Sequence, residues 1–225
     1  MSDPYAVIAR VLRESPATEA RLSYACYVAL GDSFSAGTGC EPGKAWPDLL
    51  ARTLRRRSPD LVYSNLGQEG ARSDDVVEQS SVAVQLEPDL ITVVCGANDA
   101  LLSVRPDPDA YARNLTRIFR RLRGAVPSAS IVTATSPERW NFLELGPRTQ
   151  RRVTEGIAGI NEATRRVAAD HEIPCLDVAS HPGLFDAENF GEDGLHPSAA
   201  GHAHAAACFI QLIETHDRER SPRSE

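Results

Sequence analysis

The stretch YVALGDSFSAG, residues 27–37, places Ser33 directly after Gly31 and Asp32 at the end of an apolar run. A serine hydroxyl becomes a nucleophile only when a base takes its proton and a third group holds that base in place. Of the six histidines, His196 offers the best base. In GEDGLHPSAAGH it follows Asp193 by three residues, so a carboxylate can reach the ring across a turn and fix its tautomer. His202 and His204 fall inside a helical pattern with no carboxylate placed to orient them, and read as surface or helix-packing histidines. His171, His181 and His216 read the same way. Acyl transfer also needs donors aimed at the developing oxyanion. Gly70 in NLGQEGARS lets a backbone N–H approach a ligand closely, and Asn98 in CGANDALL carries a side-chain amide donor. Taken singly, Gly70, Asn98 and Asp99 also read as turn or cap residues.

Other readings of the loop after residue 30 fail on residue identity. A dinucleotide fingerprint needs glycine at 33 and 36, where Ser33 and Ala36 stand. A phosphate-binding loop needs glycine and lysine at 36 and 37, which are Ala36 and Gly37. A nucleophile elbow needs glycine at 35, which is Ser35.

Five short apolar runs must position these groups: 24–30, 61–66, 90–96, 130–136 and 173–178. They lack polar alternation, the pattern of strands buried on both faces of a parallel sheet. Between them lie segments of helical spacing. Trp46, Leu49, Leu50 and Leu54 form one stripe, and Tyr111, Leu115, Ile118 and Leu122 another. Asp107 and Pro108 read as the cap and first residue of the second helix, and Gly124 as its stop. Helices are also expected over 151–171 and 198–216, against the glycines at 156, 159 and 201. The alternation implies an α/β fold, a three-layer α/β/α sandwich around a five-stranded parallel sheet, with functional groups at the carboxyl ends of the strands. The expected organisation is an N-terminal helical extension over 1–22, a catalytic domain over 23–215 and a disordered tail over 216–225.

The blocks GDSFSAG, NLGQEGA, GAND and DGLHP occur in this order, each at the end of an expected strand. Together they resemble the SGNH hydrolases, also called the GDSL esterase/lipase family, over about residues 25–212, and most of all its small actinobacterial branch. The resemblance implies a flavodoxin-like fold. It also implies a serine esterase in which Ser33 is the nucleophile, His196 the general base and acid, and Asp193 its orienting carboxylate. Ser33, Gly70 and Asn98 would form the oxyanion hole, with Gly70 favoured over Gly67. Asp32 and Asp99 would hold their loops through bonds to backbone. No metal or other cofactor is expected.

The substrate is expected to be a short-chain acyl or acetyl ester of a small metabolite, sugar or biosynthetic intermediate. Leu101, Trp140 and Phe142 are candidates for its pocket. The same triad would also serve an acyltransferase or a thioesterase, and a non-catalytic binding protein on this fold is the remaining alternative.

Bulk properties fit these expectations. The chain has 225 residues and a net charge of −7, which disfavours nucleic acid and anionic membrane as partners. Arg10, Arg13 and Glu14 interrupt the N-terminal apolar positions, so no ordinary signal peptide is expected. No window is apolar enough to span a membrane. The N-terminal apolar stripe is expected to pack on the core or to join copies into a homo-oligomer. Five cysteines without a C-x-x-C pair suggest reduced thiols in the cytoplasm, with Cys26, Cys95 and Cys175 as small core residues and Cys40 in a loop.

Overall fold

The computed structural model describes residues 23–138 and 145–220. Strands β1 (Cys26–Gly31), β2 (Val62–Asn65), β3 (Leu90–Val94), β4 (Ser130–Ala134) and β5 (Cys175–Leu176) form one five-stranded sheet in the order β2-β1-β3-β4-β5. Every pairing is parallel. The chain steps from β1 to β2 on one side and then to β3 on the other. That reversal opens a crevice at the carboxyl ends of β1 and β3.

The apolar runs are continuous because both faces of the sheet are covered. Val28 and Leu30 of β1 enter one core with Ile91, Val93 and Ile131, while Tyr27 and Ala29 enter the other with Leu90, Val94 and Val132. Helices α1 (Ser33–Ala36), α2 (Trp46–Leu54), α3 (Ser73–Ala83), α4 (Ala97–Leu101), α5 (Pro108–Ala125) and α6 (Pro147–Asp170) connect the strands, and α7 (Ala199–Arg220) follows β5. Val76 of α3, Leu115 of α5 and Ile157 of α6 close the first core, and Trp46 of α2 and Phe209 of α7 the second. The result is three layers, α/β/α.

Local chemistry explains most element ends. The Asp107 carboxylate accepts from Ala110 N–H at 2.9 Å and Pro108 follows it, so α5 starts where expected; it ends one residue past Gly124. The glycines inside α6 and α7 serve close approach: a Cβ on Gly156 would stand 2.7 Å from Pro106 Cγ, and one on Gly201 2.0 Å from Asn189 O. Helix α3 lacks a clear apolar stripe because its buried face carries Ser73, Gln79 and Ser80 alongside Val76 and Val77.

The tail expected from residue 216 is helical as far as Arg220, because α7 continues. Its charged residues have partners: Asp217 accepts from Tyr24 Oη at 2.6 Å and from Ser130 Oγ at 3.3 Å, tying the helix end to the start of the domain. Residues 221–225 and the expected N-terminal extension, 1–22, lie outside the described residues, as do Trp140 and Phe142. No helix among the described residues is long and apolar enough to cross a membrane.

Candidate active site

Strand β1 ends against β3 so closely that a Cβ on Gly31 would stand 2.1 Å from Val94 O, and Gly31 has φ +149°. Only glycine fits there. Gln79, buried on α3, holds that glycine from both sides: Oε1 accepts from Gly31 N–H at 2.8 Å and Nε2 donates to Gly31 O at 2.9 Å. The chain then turns into α1, whose N-cap is Asp32, with Oδ1 accepting from Phe34 N–H at 3.0 Å. Ser33 is therefore the first residue of a short helix, half-buried at the edge of a crevice, with a backbone N–H that takes no acceptor among the described residues.

Burial pushes the Asp32 carboxyl up to about 7. The Phe34 N–H bond and His196 oppose that rise, and Asp99 adds to it. Asp32 thus acts on backbone and on the local field beside Ser33.

Asn98 and Asp99 open α4 after β3. Asn98 Nδ2 donates one hydrogen to Ala71 O at 2.9 Å and keeps a second. Asp99 accepts from Ser73 N–H at 3.0 Å and from Ser73 Oγ at 2.5 Å, and Asn114 Nδ2 donates to that same Oγ at 3.0 Å. These bonds fasten the loop after β2, which carries Gly70, to the loop after β3. Gly70 has φ +74° and an N–H with no acceptor among the described residues, whereas the Gly67 N–H is taken by Asn65 Oδ1 at 3.0 Å.

Asp193 and His196 lie on the loop before α7. His196 Nδ1 stands 2.7 Å from Asp193 Oδ2, while Asp193 Oδ1 accepts from Leu195 N–H at 2.9 Å and His196 N–H at 3.0 Å. Partial burial disfavours the Asp193 charge, but the His196 ring and the two backbone N–H groups outweigh it and hold the carboxyl below its ordinary range. An ionised carboxylate only accepts, so Nδ1 carries the proton and Nε2 presents a lone pair.

Asp32, Ser33, Asn98 and His196 line one cavity of about 140 Å³ at the carboxyl end of the sheet. Val94, Leu101, Leu176 and Phe209 supply apolar wall. Gly70 is not among its lining residues. A hydroxyl, an imidazole with a free Nε2 and an amide donor around one apolar space can carry out acyl transfer.

The cavity also takes in His181, His204 and Cys208, with Cys208 Sγ 3.6 Å from His181 Nε2. Burial pushes the Cys208 thiol up to about 11 and lowers His204. Two weak signals for this trio lie in the sequence: His204 and Cys208 are four apart on one helix face, and His181 follows the last strand. Gln79 left none, since its role depends on the strand end it meets.

Residues 29–204 match the model of the GDSL-like lipase/acylhydrolase family. The chain is 26% identical over 192 residues to a GDSL lipase of Mycobacterium tuberculosis, covering 82% of this chain and 79% of that one. The structure is similar to that of TesA, with TM-score 0.69 and 20% identity over 84% of this chain and 98% of that chain. It is also similar to the esterase EstA from Pseudoalteromonas sp. inhibited by monoethylphosphonate, with TM-score 0.66 and 20% identity over 85% and 97%.

Proposed function

The chain belongs to the GDSL-like lipase/acylhydrolase family and is a hydrolase of esterase/lipase type, and on that premise we propose that it cleaves short-chain carboxylic esters of small molecules through Ser33, His196 and Asp193. The observation that carries the reading is the His196–Asp193 pair at 2.7 Å, bordering the cavity that Ser33 also lines.

Ser33 Oγ attacks the ester carbonyl while His196 Nε2 takes its proton. Asp193 keeps the Nδ1 proton in place and stabilises the imidazolium that forms. The tetrahedral oxyanion is held by the N–H groups of Ser33 and Gly70 and by the second hydrogen on Asn98 Nδ2. The alcohol departs with the proton from His196, and water then resolves the acyl-enzyme by the same steps in reverse. EstA, which shares the fold, is inhibited by monoethylphosphonate. A tetrahedral phosphonate imitates the tetrahedral intermediate that this mechanism requires.

The small, largely apolar cavity supports a short acyl group over a long lipid chain. Five cysteines, all free, are compatible with a reducing compartment and hence with a cytoplasmic substrate.

The test is hydrolysis of p-nitrophenyl esters of increasing acyl length. The expected result is a maximum of kcat/KM at acetyl to butyryl and a steep decline beyond. A maximum at long chains would overturn the short-chain assignment.

A further inference from the structure

His181, His204 and Cys208 are not needed by the acyl-transfer steps, yet they converge on the wall of the same cavity. His204 and Cys208 project from one face of α7, and His181 comes from the turns after β5. One donor atom from each lies within 4.8 Å of the other two. With Zn–S about 2.3 Å and Zn–N about 2.0–2.1 Å, tetrahedral zinc sets sulfur and nitrogen ligands about 3.6 Å apart. The Cys208 Sγ–His181 Nε2 separation is 3.6 Å, so one edge of that tetrahedron is already in place.

The two imidazoles meet edge to face at 5.0 Å and 86°, with Gly183 packed against both. A Cβ on Gly183 would stand 3.0 Å from His204 Cε1 and 3.2 Å from His181 Nδ1, so a larger residue there would force the rings apart. All three side chains are half-buried and border the cavity.

We infer that His181, His204 and Cys208 form a binding site for a zinc-class divalent ion whose fourth coordination position opens on the cavity. Two imidazoles and a thiolate are a borderline-soft donor set, which selects zinc over magnesium or calcium. On binding, the Sγ–H bond breaks, its proton goes to solvent and the thiolate donates its electron pair to the metal. His181 must offer the Nε2 lone pair. In the metal-free protein its Nδ1 accepts from Gly183 N–H at 3.1 Å, so its proton sits on Nε2. The proton therefore moves to Nδ1 on loading, through solvent, and the Gly183 bond opens. Losing that one bond weakens binding by about tenfold, a small factor beside the affinity of zinc for such donors.

The test is titration of tag-free protein with Zn²⁺ by calorimetry and with Co²⁺ by absorption. The expected result is one equivalent bound, with a thiolate-to-cobalt charge-transfer band. His204→Ala and Cys208→Ser should each weaken binding by at least about 100-fold, and Cys40→Ser should leave it intact. A wild-type cobalt spectrum without the thiolate band overturns the site, even if a variant fails to fold. So does binding unchanged in both ligand variants, or lost in Cys40→Ser. The readouts are binding and spectrum, so the outcome does not depend on Ser33 being the nucleophile.

Discussion

Asp32 stands beside the proposed nucleophile with its carboxyl buried and pushed up to about 7. An unfolded chain releases that proton near 4. Between about pH 4 and 7 the folded protein therefore binds more protons than the unfolded one, and this group's contribution to stability falls as pH rises. Asp32→Asn keeps an oxygen for Phe34 N–H and cannot ionise. Urea unfolding at pH 5 and pH 7 should show a smaller loss of stability across that interval in the variant; equal losses would contradict the assignment. At the oxyanion, Asn98→Ala removes the amide hydrogen left free by Ala71 and should lower kcat by about 10²- to 10³-fold with a modest change in KM. An effect confined to KM would make Asn98 a ground-state binding residue instead.

At the scale of elements, Gln79 shows how a helix positions a strand end. Its two bonds to Gly31 fix the backbone one residue before Asp32. Gln79→Leu leaves the Gly31 N–H buried without an acceptor, which should cost about 1–3 kcal/mol of stability. Because the displaced backbone leads directly to Ser33, kcat should also fall while KM changes little; urea denaturation and steady-state kinetics on one preparation check both. The strands were legible in the sequence because their apolar runs follow from burial on both faces. Helix α5 was legible because Asp107 and Pro108 act locally. Helix α3 was not, since its buried polar side chains are satisfied by long-range partners, Gly31 for Gln79 and Asp99 for Ser73. The continuation of α7 past residue 216 escaped for the same reason: Asp217 is held by Tyr24 and Ser130, far away in sequence.

Across the whole molecule, the sheet order β2-β1-β3-β4-β5 gathers the ends of β1 and β3 and the loop before α7 around one cavity. The placing of Ser33 and Asn98 at this cavity could be read from sequence because each sits in a short block at a strand end and the topology of a parallel sheet collects such ends, and the pairing of His196 with Asp193 could be read from their three-residue spacing. The approach of His181 to His204 and Cys208 could not, because it depends on how the turns after β5 fold back onto α7. That same folding makes Gly201 a sensitive joint. Gly201→Ala would drive a Cβ into Asn189 O and shift α7 against the turns that carry His181. Cooperative thermal unfolding should move down by several degrees, consistent with about 1–3 kcal/mol of overpacking; an unchanged Tm would show that the joint is compliant.

Whether Ser33 is the nucleophile is decided by covalent labelling with a fluorophosphonate followed by peptide mass spectrometry. The expected result is one adduct per chain, on the peptide containing Ser33, with labelling and ester turnover both abolished in Ser33→Ala. An adduct on another residue, or turnover retained by folded Ser33→Ala, would contradict it.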